Sequence, residues 1–554
     1  MRRLAFVGVL LVTSLAWCRQ PVHARNAMVV AQEPLAADVG VAVLKAGGNA
    51  MDAAVAMGFA LAVTYPYAGN LGGGGFMLAR FADGRTTFVD FRETAPAAAS
   101  RDMYLDAGGK VTKDSLVGWR AAGVPGSVRG FDLAQKKYGR KTWADVLQPA
   151  VQLAENGFPV SYYFDRQLHS DRELLERFPE SKRIFASLHH ANECIQPELA
   201  AVLKRIRDQG AKDFYEGETA KKLVAAMAEN GGLITLEDLK NYKAVERAPL
   251  TGHYKGFEVI TAPPPSSGGI GILQMLGMLE GSGYEKTGAG SAAQLHYVAE
   301  VMRRYYADRS EFLGDPDFVN VPINQLLDPR YIASRRATID PDRATPSADV
   351  HAGPLPGKES NETTHYNVID SEGNVVEVTY TLNAGFGSGV TVPGLGFLLN
   401  DEMDDFAAKP GTPNLFGLIQ GEANAIRPGK RPLSSMTPTL LVRDGKPYLA
   451  VGAPGGSRII NGVLQVILNV VDFHMNVQEA VDWPRIHHQW MPDQLYLERG
   501  ISPDTVDKLR AMGHKIASAE SAVPVIARVE AILLDGGWYQ GAGDGRGNAK
   551  AAGY

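Results

Sequence analysis

The chain has 554 residues, 45% hydrophobic and 21% charged, which is globular composition with material for one large or two medium cores. Its 56 basic and 61 acidic residues are well mixed and give a net charge of −5. That balance excludes a nucleic-acid-binding footprint and a basic membrane-binding face. The 60 glycines fit turns and close backbone approaches, with no repeat, heptad run or Pro- or Ser-rich linker among them.

The N-terminus reads as an export signal covering residues 1–24. Met1-Arg2-Arg3 is a basic start, and Leu4 to Trp17 is apolar but too short to span a bilayer. Val22 and Ala24 then place small residues where a signal peptidase reads. A short anchor or a buried first helix is the alternative. Cys18 after Leu15-Ala16 suggests a lipoprotein site, but Trp17 stands where a small residue is required. No later stretch is long and apolar enough to cross a membrane, so the expectation is a periplasmic or secreted protein. If Cys18 leaves with the signal, Cys194 remains without a partner for an internal disulfide. Its polar surroundings carry no matched histidine pattern for a catalytic thiol.

From Pro34 to Leu61 the spacing predicts two helices, the first stopped by Gly47-Gly48 and the second capped by Asn49 and running to Val63. Asn70 to Gly75 is a loop. Phe76 to Phe81 and Thr86 to Phe91 read as strands joined by Asp83-Gly84. Residues from about 125 to 330 read as mainly helical, interrupted between Phe257 and Gly271, where Glu258 to Thr261 runs into prolines. Asp340 to Glu362 is poor in apolar residues and rich in turn formers. Thr363 to Asp370 and Asn374 to Leu382 then alternate as a hairpin around Ser371-Glu372-Gly373. Leu440 to Val442 and Tyr448 to Ala453 form another around Asp444-Gly445, followed by an apolar-periodic helix from Ser457 to Phe473. Runs of strands followed by helices predict packed α+β layers rather than a Rossmann alternation.

Familiar catalytic motifs are absent: there is no G-x-S-x-G elbow, Walker loop, H-E-x-x-H, or G-x-G-x-x-G after a strand. Gly72 to Gly75 leads into a strand, so it lacks the helix N-terminus a phosphate loop uses. His189-His190 and His487-His488 are sequence neighbours whose side chains diverge, poor pairs for a metal. No metal or cofactor is expected.

One stretch is informative in company: Asn361-Glu362-Thr363-Thr364-His365-Tyr366. It is followed in order by Thr379 to Asn383, Asp401 to Phe406, Lys430 to Met436, and Gly452 to Arg458. Upstream stand Asn70 to Phe76 and Asp90-Phe91-Arg92-Glu93. Together these blocks closely resemble the γ-glutamyltranspeptidase family, over nearly the whole chain from Ala27 to Tyr554. The resemblance implies the four-layer αββα sandwich of N-terminal-nucleophile hydrolases. It also implies one precursor cut between Glu362 and Thr363 into a large subunit (25–362) and a small catalytic subunit (363–554). Thr363 and Thr381, with Gly455 and Gly456, are then the catalytic set. Arg92, Asn383, Glu402, Asp405, Ser434 and Ser435 are the substrate-binding set. The implied partners are γ-glutamyl compounds such as glutathione and amino acid or peptide acceptors, with no nucleic acid and no membrane after the signal is removed. Glu402 stands where some bacterial members have Gln. Lys409 to Phe416 matches a lid loop that some members lack, with Phe416 a candidate gate. Gly543-Asp544-Gly545-Arg546 replaces the usual Asp-Pro-Arg.

The residue types suit this chemistry. A chain-terminal threonine carries its own base, the α-amine, whose reference pKa of roughly 8 suits neutral pH. A three-residue hairpin loop sets Thr363 opposite Thr381, whereas a two-residue turn sets Leu382 there. Gly455 and Gly456, at a strand end before a helix, read either as an oxyanion hole or as a tight turn. Arg92 and the two serines suit an α-carboxylate, and Asp405, Glu402 and Asn383 suit an α-ammonium. The rival activity is a cephalosporin or glutaryl-amide acylase, whose substrates often lack an α-ammonium; the acids at 402 and 405 argue against it. A non-catalytic exported binding protein is disfavoured because the nucleophile and its partners are all retained.

Overall fold

The structure is a computed structural model that describes residues 19–352, 364–409, 412, 421–518 and 525–554. Strands of the two large sheets in chain order are β1 (Val22–Ala24), β2 (Met28–Ala31), β3 (Gly74–Arg80), β4 (Thr86–Asp90), β5 (Val245–Arg247), β6 (Leu250–Tyr254) and β7 (Phe257–Thr261). They continue with β8 (Thr364–Ile369), β9 (Val375–Thr381), β10 (Thr439–Arg443), β11 (Lys446–Gly452), β12 (Glu530–Asp535), β13 (Trp538–Ala542) and β14 (Lys550–Gly553). They form two seven-stranded antiparallel sheets, ordered β1-β13-β12-β11-β10-β7-β6 and β14-β2-β8-β9-β3-β4-β5. The helices that matter below are α1 (Pro34–Lys45), α2 (Ala50–Thr64), α3 (Tyr162–Ser170), α4 (Gly268–Leu279), α5 (Ala292–Phe312) and α6 (Arg458–Val471).

Side chains alternate across a strand, and here both faces of β2 and β3 are apolar. Val29, Ala31, Met77, Ala79, Val376 and Val378 face α1, α2 and their neighbours. Their sequence neighbours Met28, Val30, Phe76 and Leu78 turn the other way and meet Ile260, Leu440, Ala450 and Ile532 of the opposing sheet. On the far side of that sheet, Val259, Leu441, Leu449, Val451 and Ala531 pack with α4, α5 and α6. Three apolar interfaces separate four layers, the expected αββα sandwich.

The first two helices form where their spacing predicts. Asn49 accepts from the Asp52 amide at 3.0 Å, and Asp52 accepts from the Asn49 amide at 2.8 Å, a reciprocal cap that starts α2. The second hairpin and its helix also appear as read. Three differences stand out. β5 and β6 lie inside the stretch read as mainly helical. The C-terminal strands β12 to β14 were not anticipated. β1 falls within the residues given to the export signal, yet Val22 to Ala24 pair with Gly541 to Tyr539 of β13.

The β8–β9 hairpin has the three-residue loop. Ile369 pairs with Val375, and the Asp370 amide donates to the Asn374 carbonyl at 3.1 Å. The Asp370 carboxylate accepts from the amides of Glu372 and Asn374, both at 3.0 Å. It also accepts from the Ala50 amide at 2.9 Å, fastening the hairpin to the start of α2. Asp370→Ala strips acceptors from several buried donors and is expected to cost about 2–4 kcal/mol of stability. Thermal unfolding of the variant checks this, and an unchanged Tm would refute it.

Candidate active site

The recorded pairing of β8 and β9 ends at Thr364 opposite Tyr380; Thr363 itself lies outside the described residues. On β9, Val376, Val378 and Tyr380 point to the helices, while Val375 points between the sheets. Glu377, Thr379 and Thr381 share the face of Val375, so Thr381 looks into the space between the sheets. This face is polar as well as buried. His365 bonds to the Thr379 hydroxyl at 2.9 Å and to Asn367 Oδ1 at 2.9 Å. Asn367 Nδ2 donates to the Glu530 carbonyl at 2.9 Å, and Glu377 accepts from the Thr439 amide at 2.9 Å. Burial pushes His365 down to about 3, so it stays neutral across the physiological range and both its nitrogens are occupied. A histidine two residues after Thr363, the candidate nucleophile, is therefore a packing group, not a general base. The Thr381 hydroxyl accepts from the Asn383 amide at 2.7 Å.

The glycine-rich loop works as a spacer. A Cβ on Gly73 would sit 1.8 Å from the Thr381 carbonyl oxygen, and one on Gly74 would sit 2.6 Å from Glu93 Oε2. Only bare backbone lets the end of β9 approach the turn that carries Arg92. Arg92 is fully buried and bonds to both Glu402 and Asp405, with Glu93 3.6 Å from its Nη1. Its Nε donates to the Pro432 carbonyl at 3.2 Å and its Nη2 to the Leu433 carbonyl at 3.4 Å. Arg92, read for an α-carboxylate, closes directly on the two acids read for an α-ammonium, because opposite charges buried together satisfy one another.

Three carboxylates surround this arginine, so the cluster carries surplus acid. Burial raises Glu402 and Glu93 above the ordinary carboxylate range, against the pull of Arg92. Both Glu93 oxygens, Glu402 Oε2 and Asn383 Oδ1 are buried acceptors without a hydrogen-bond partner among the described residues. Asn383 holds a left-handed backbone (φ 79°), and its amide nitrogen is taken by the Asp401 carbonyl at 3.1 Å, which leaves the oxygen as the usable atom. Unpartnered buried acceptors in an acid-rich cluster suit a cationic donor such as an ammonium.

The serines sit on the other flank. The Ser434 hydroxyl accepts from the Met436 amide at 3.2 Å, and its carbonyl accepts from the Ser267 amide at 2.7 Å. The Ser435 hydroxyl accepts from Arg309 Nη2 at 2.6 Å, and Arg309 Nε donates to the Ser267 hydroxyl at 3.1 Å. Arg309 is buried, which lowers its pKa against the opposing field of Asp405. Neither Arg309 nor Ser267 was found in the sequence. The available signal was a cation-rich helical stretch, Arg303-Arg304-Tyr305-Tyr306-Ala307-Asp308-Arg309. Arg309 fixes the Ser435 oxygen as an acceptor, so the hydroxyl proton points elsewhere. Arg309→Ala is expected to lower kcat/KM about tenfold, as one charge-assisted bond is lost. Partial recovery in Arg309→Lys supports that role; equal activity in Arg309→Ala and the wild type would dismiss it.

Gly455 and Gly456 lie between the end of β11 and the start of α6, at φ 135° and 66°. Their carbonyls accept from Arg458 and Ile459 at 3.2 and 2.9 Å, so the helix uses their oxygens and their N–H groups stand at its positive end. A Cβ on Gly455 would lie 2.8 Å from Ala527 Cα. Phe416, the candidate gate, lies outside the described residues. His296, Glu300 and His514 bring ligand atoms within 4.8 Å of one another. Glu300, however, is held by Arg303 at 3.1 Å and Arg304 at 2.6 Å, and the two histidines bond each other at 2.8 Å. That is an ion-pair network rather than a metal cage.

A sandwich of this layering, with buried site residues at strand ends between the sheets, defines an N-terminal-nucleophile hydrolase. Known proteins agree. A model of the family described as gamma-glutamyltranspeptidase matches residues 36–554. A glutathione hydrolase proenzyme from Escherichia coli is 51% identical over 90% of this chain and 87% of its own. A cephalosporin acylase from Bacillus halodurans superposes with a TM-score of 0.86 at 27% identity, covering 97% of both chains. The gamma-glutamyltranspeptidase of Helicobacter pylori gives a TM-score of 0.57 at 43% identity, covering 58% of this chain and 94% of its own. The chain belongs to the gamma-glutamyltranspeptidase family and is an enzyme. Among the described residues no helix is long and apolar enough to cross a membrane.

Proposed function

We propose that this enzyme is a γ-glutamyltransferase and glutathione hydrolase that works through an ester on Thr363. The chain cuts itself between Glu362 and Thr363, and the new α-amine becomes the base for the threonine hydroxyl. The hydroxyl attacks the γ-amide carbonyl while the amine takes its proton. The Gly455 and Gly456 amides hold the oxyanion, and the amine returns the proton to the departing nitrogen. Water or an acceptor amine then opens the ester. Thr381, bound to the Asn383 amide, orients the nucleophile.

The observation that carries this reading is the buried Arg92–Glu402–Asp405 cluster, with Glu402 Oε2 and both Glu93 oxygens left as unpartnered acceptors among the described residues. A γ-glutamyl α-carbon bears one carboxylate and one ammonium, and this cluster offers a guanidinium, two serines and surplus acid. An acylase acting on substrates without an ammonium has no use for the acids. The match of a solved chain to only 58% of this one supports a division into a large subunit (25–362) and a small one (363–554). Residues 1–24 act as the export signal and deliver the enzyme to the periplasm or medium. A cut after Ala24 removes β1, whereas one before Val22 retains it. Gel electrophoresis with N-terminal sequencing tests the processing: two fragments, the smaller starting at Thr363, are expected. Release of p-nitroaniline from γ-glutamyl-p-nitroanilide tests the activity, and preference for glutaryl-p-nitroanilide would reverse the assignment.

A further inference from the structure

A cleft of about 370 Å3, the size of small-ligand sites, opens beside Asn383 and Gly455. Its walls include Ala384 and Gly385 after β9 and Pro454 before α6, so it borders both elements that the proposed chemistry uses. Arg92, Glu402, Asp405, Ser434 and Ser435 do not line it. On the reading above, the γ-glutamyl group takes that cluster, and the cleft receives what lies beyond the scissile amide.

The lining has a strong sign. Among the described residues four arginines contribute to it, Arg166, Arg458, Arg528 and Arg546, with no aspartate or glutamate. Part of this charge is spent. Arg546 is paired with Glu498 at 2.7 Å and Asp544 at 3.0 Å, and Arg458 reaches the Val525 carbonyl at 3.4 Å. Arg166, on the exposed side of α3, makes no ion pair among the described residues and lies over the Tyr162 ring at 5.8 Å. Asp171, just beyond the end of α3, accepts from Gln167 at 2.6 Å, and burial discourages its charge. Tyr65, Tyr67 and Tyr163 complete the walls with flat amphipathic surface. A pocket with surplus guanidinium and aromatic sides recognises a carboxylate on a small, partly apolar body.

We propose that this cleft binds the leaving group and the acceptor, and that Arg166 makes it select those bearing a free carboxylate, as at a peptide C-terminus. The proposal rests on the acyl-transfer reading and adds to it a specificity determinant on α3.

The test uses the full-length, processed enzyme and two donors, γ-glutamyl-4-nitroanilide and γ-glutamyl-3-carboxy-4-nitroanilide, which differ by one carboxylate on the leaving group. The ratio of kcat/KM for the carboxylated over the plain donor is measured in the wild type, Arg166→Lys and Arg166→Glu. Charge reversal is expected to lower that ratio by about threefold or more, the scale of a partly exposed ion pair, with a smaller change in Arg166→Lys. Transfer to a dipeptide and to its C-terminal amide gives a second readout, in which the wild-type preference for the free acid should shrink in Arg166→Glu. Turnover with a donor ratio and an acceptor preference that do not move in Arg166→Glu overturns the cleft assignment alone. Absence of turnover of either donor by the wild type overturns the acyl-transfer reading and this one with it.

Discussion

Purified Thr363→Ala is expected to run as one uncut chain and to release no product from a γ-glutamyl anilide. Two consequences follow from one hydroxyl, because in the proposed mechanism the same oxygen attacks first the Glu362 carbonyl and later the substrate. The loss in kcat should reach ~10³-fold or more, the scale seen when a nucleophile is removed. Thr363→Ser should retain both steps at lower rate, since it keeps the oxygen. The pH profile separates the proposed base from the nearby histidine. An α-amine acts as a base only when unprotonated, so activity should rise with pH through its pKa, near the reference value of roughly 8 or below. His365, held down to about 3 by burial, is neutral throughout and cannot supply that limb. A Thr363→Ala chain that still splits at Glu362–Thr363 would mean that another protease makes the cut.

Local rules made much of the scaffold legible before any coordinates. The Asn49 cap, the Gly47-Gly48 stop and the Ser371-Glu372-Gly373 loop are short-range devices whose chemistry is written in adjacent residues. β12 was harder to see, because Glu530-Ala531-Ile532-Leu533-Leu534-Asp535 is apolar on both faces and lacks the alternation of a half-buried strand. β5 and β6 are short strands within a long helical region, where neighbours outvote them. The site divides similarly. The register of β8 and β9 could be argued from loop length. Arg92, Glu402 and Asp405, separated by about three hundred residues, were joined only by family resemblance, since nothing local links a turn after β4 to the segment after β9. Arg309 went unseen for a physical reason: a charged residue on a helix is ordinarily solvated, and its burial depends on the Ser435 loop arriving from elsewhere.

Arg92→Ala and Asp405→Ala are each expected to weaken γ-glutamyl binding by at least ~2 kcal/mol, roughly thirtyfold in KM. The geometry sharpens that expectation. Because Arg92 bonds directly to Asp405 and Glu402, removing the arginine leaves buried acids facing one another, and removing Asp405 leaves the guanidinium with one partner fewer. Each single change should therefore also lower Tm. The double variant Arg92→Ala/Asp405→Ala should be more stable than the sum of the singles predicts, by about 0.5–3 kcal/mol, because neither charge is then stranded. Binding should behave otherwise: the double variant loses the sites for both the carboxylate and the ammonium, so its KM should not recover. Glu402→Gln should be milder than Asp405→Ala, since burial already favours the neutral form of Glu402 and the amide preserves its shape. Steady-state kinetics with γ-glutamyl-p-nitroanilide and paired melting curves separate the two effects. Near-wild-type KM in both single variants, with only Tm reduced, would make the cluster a structural ion-pair network and remove its proposed role in binding the substrate's carboxylate and ammonium.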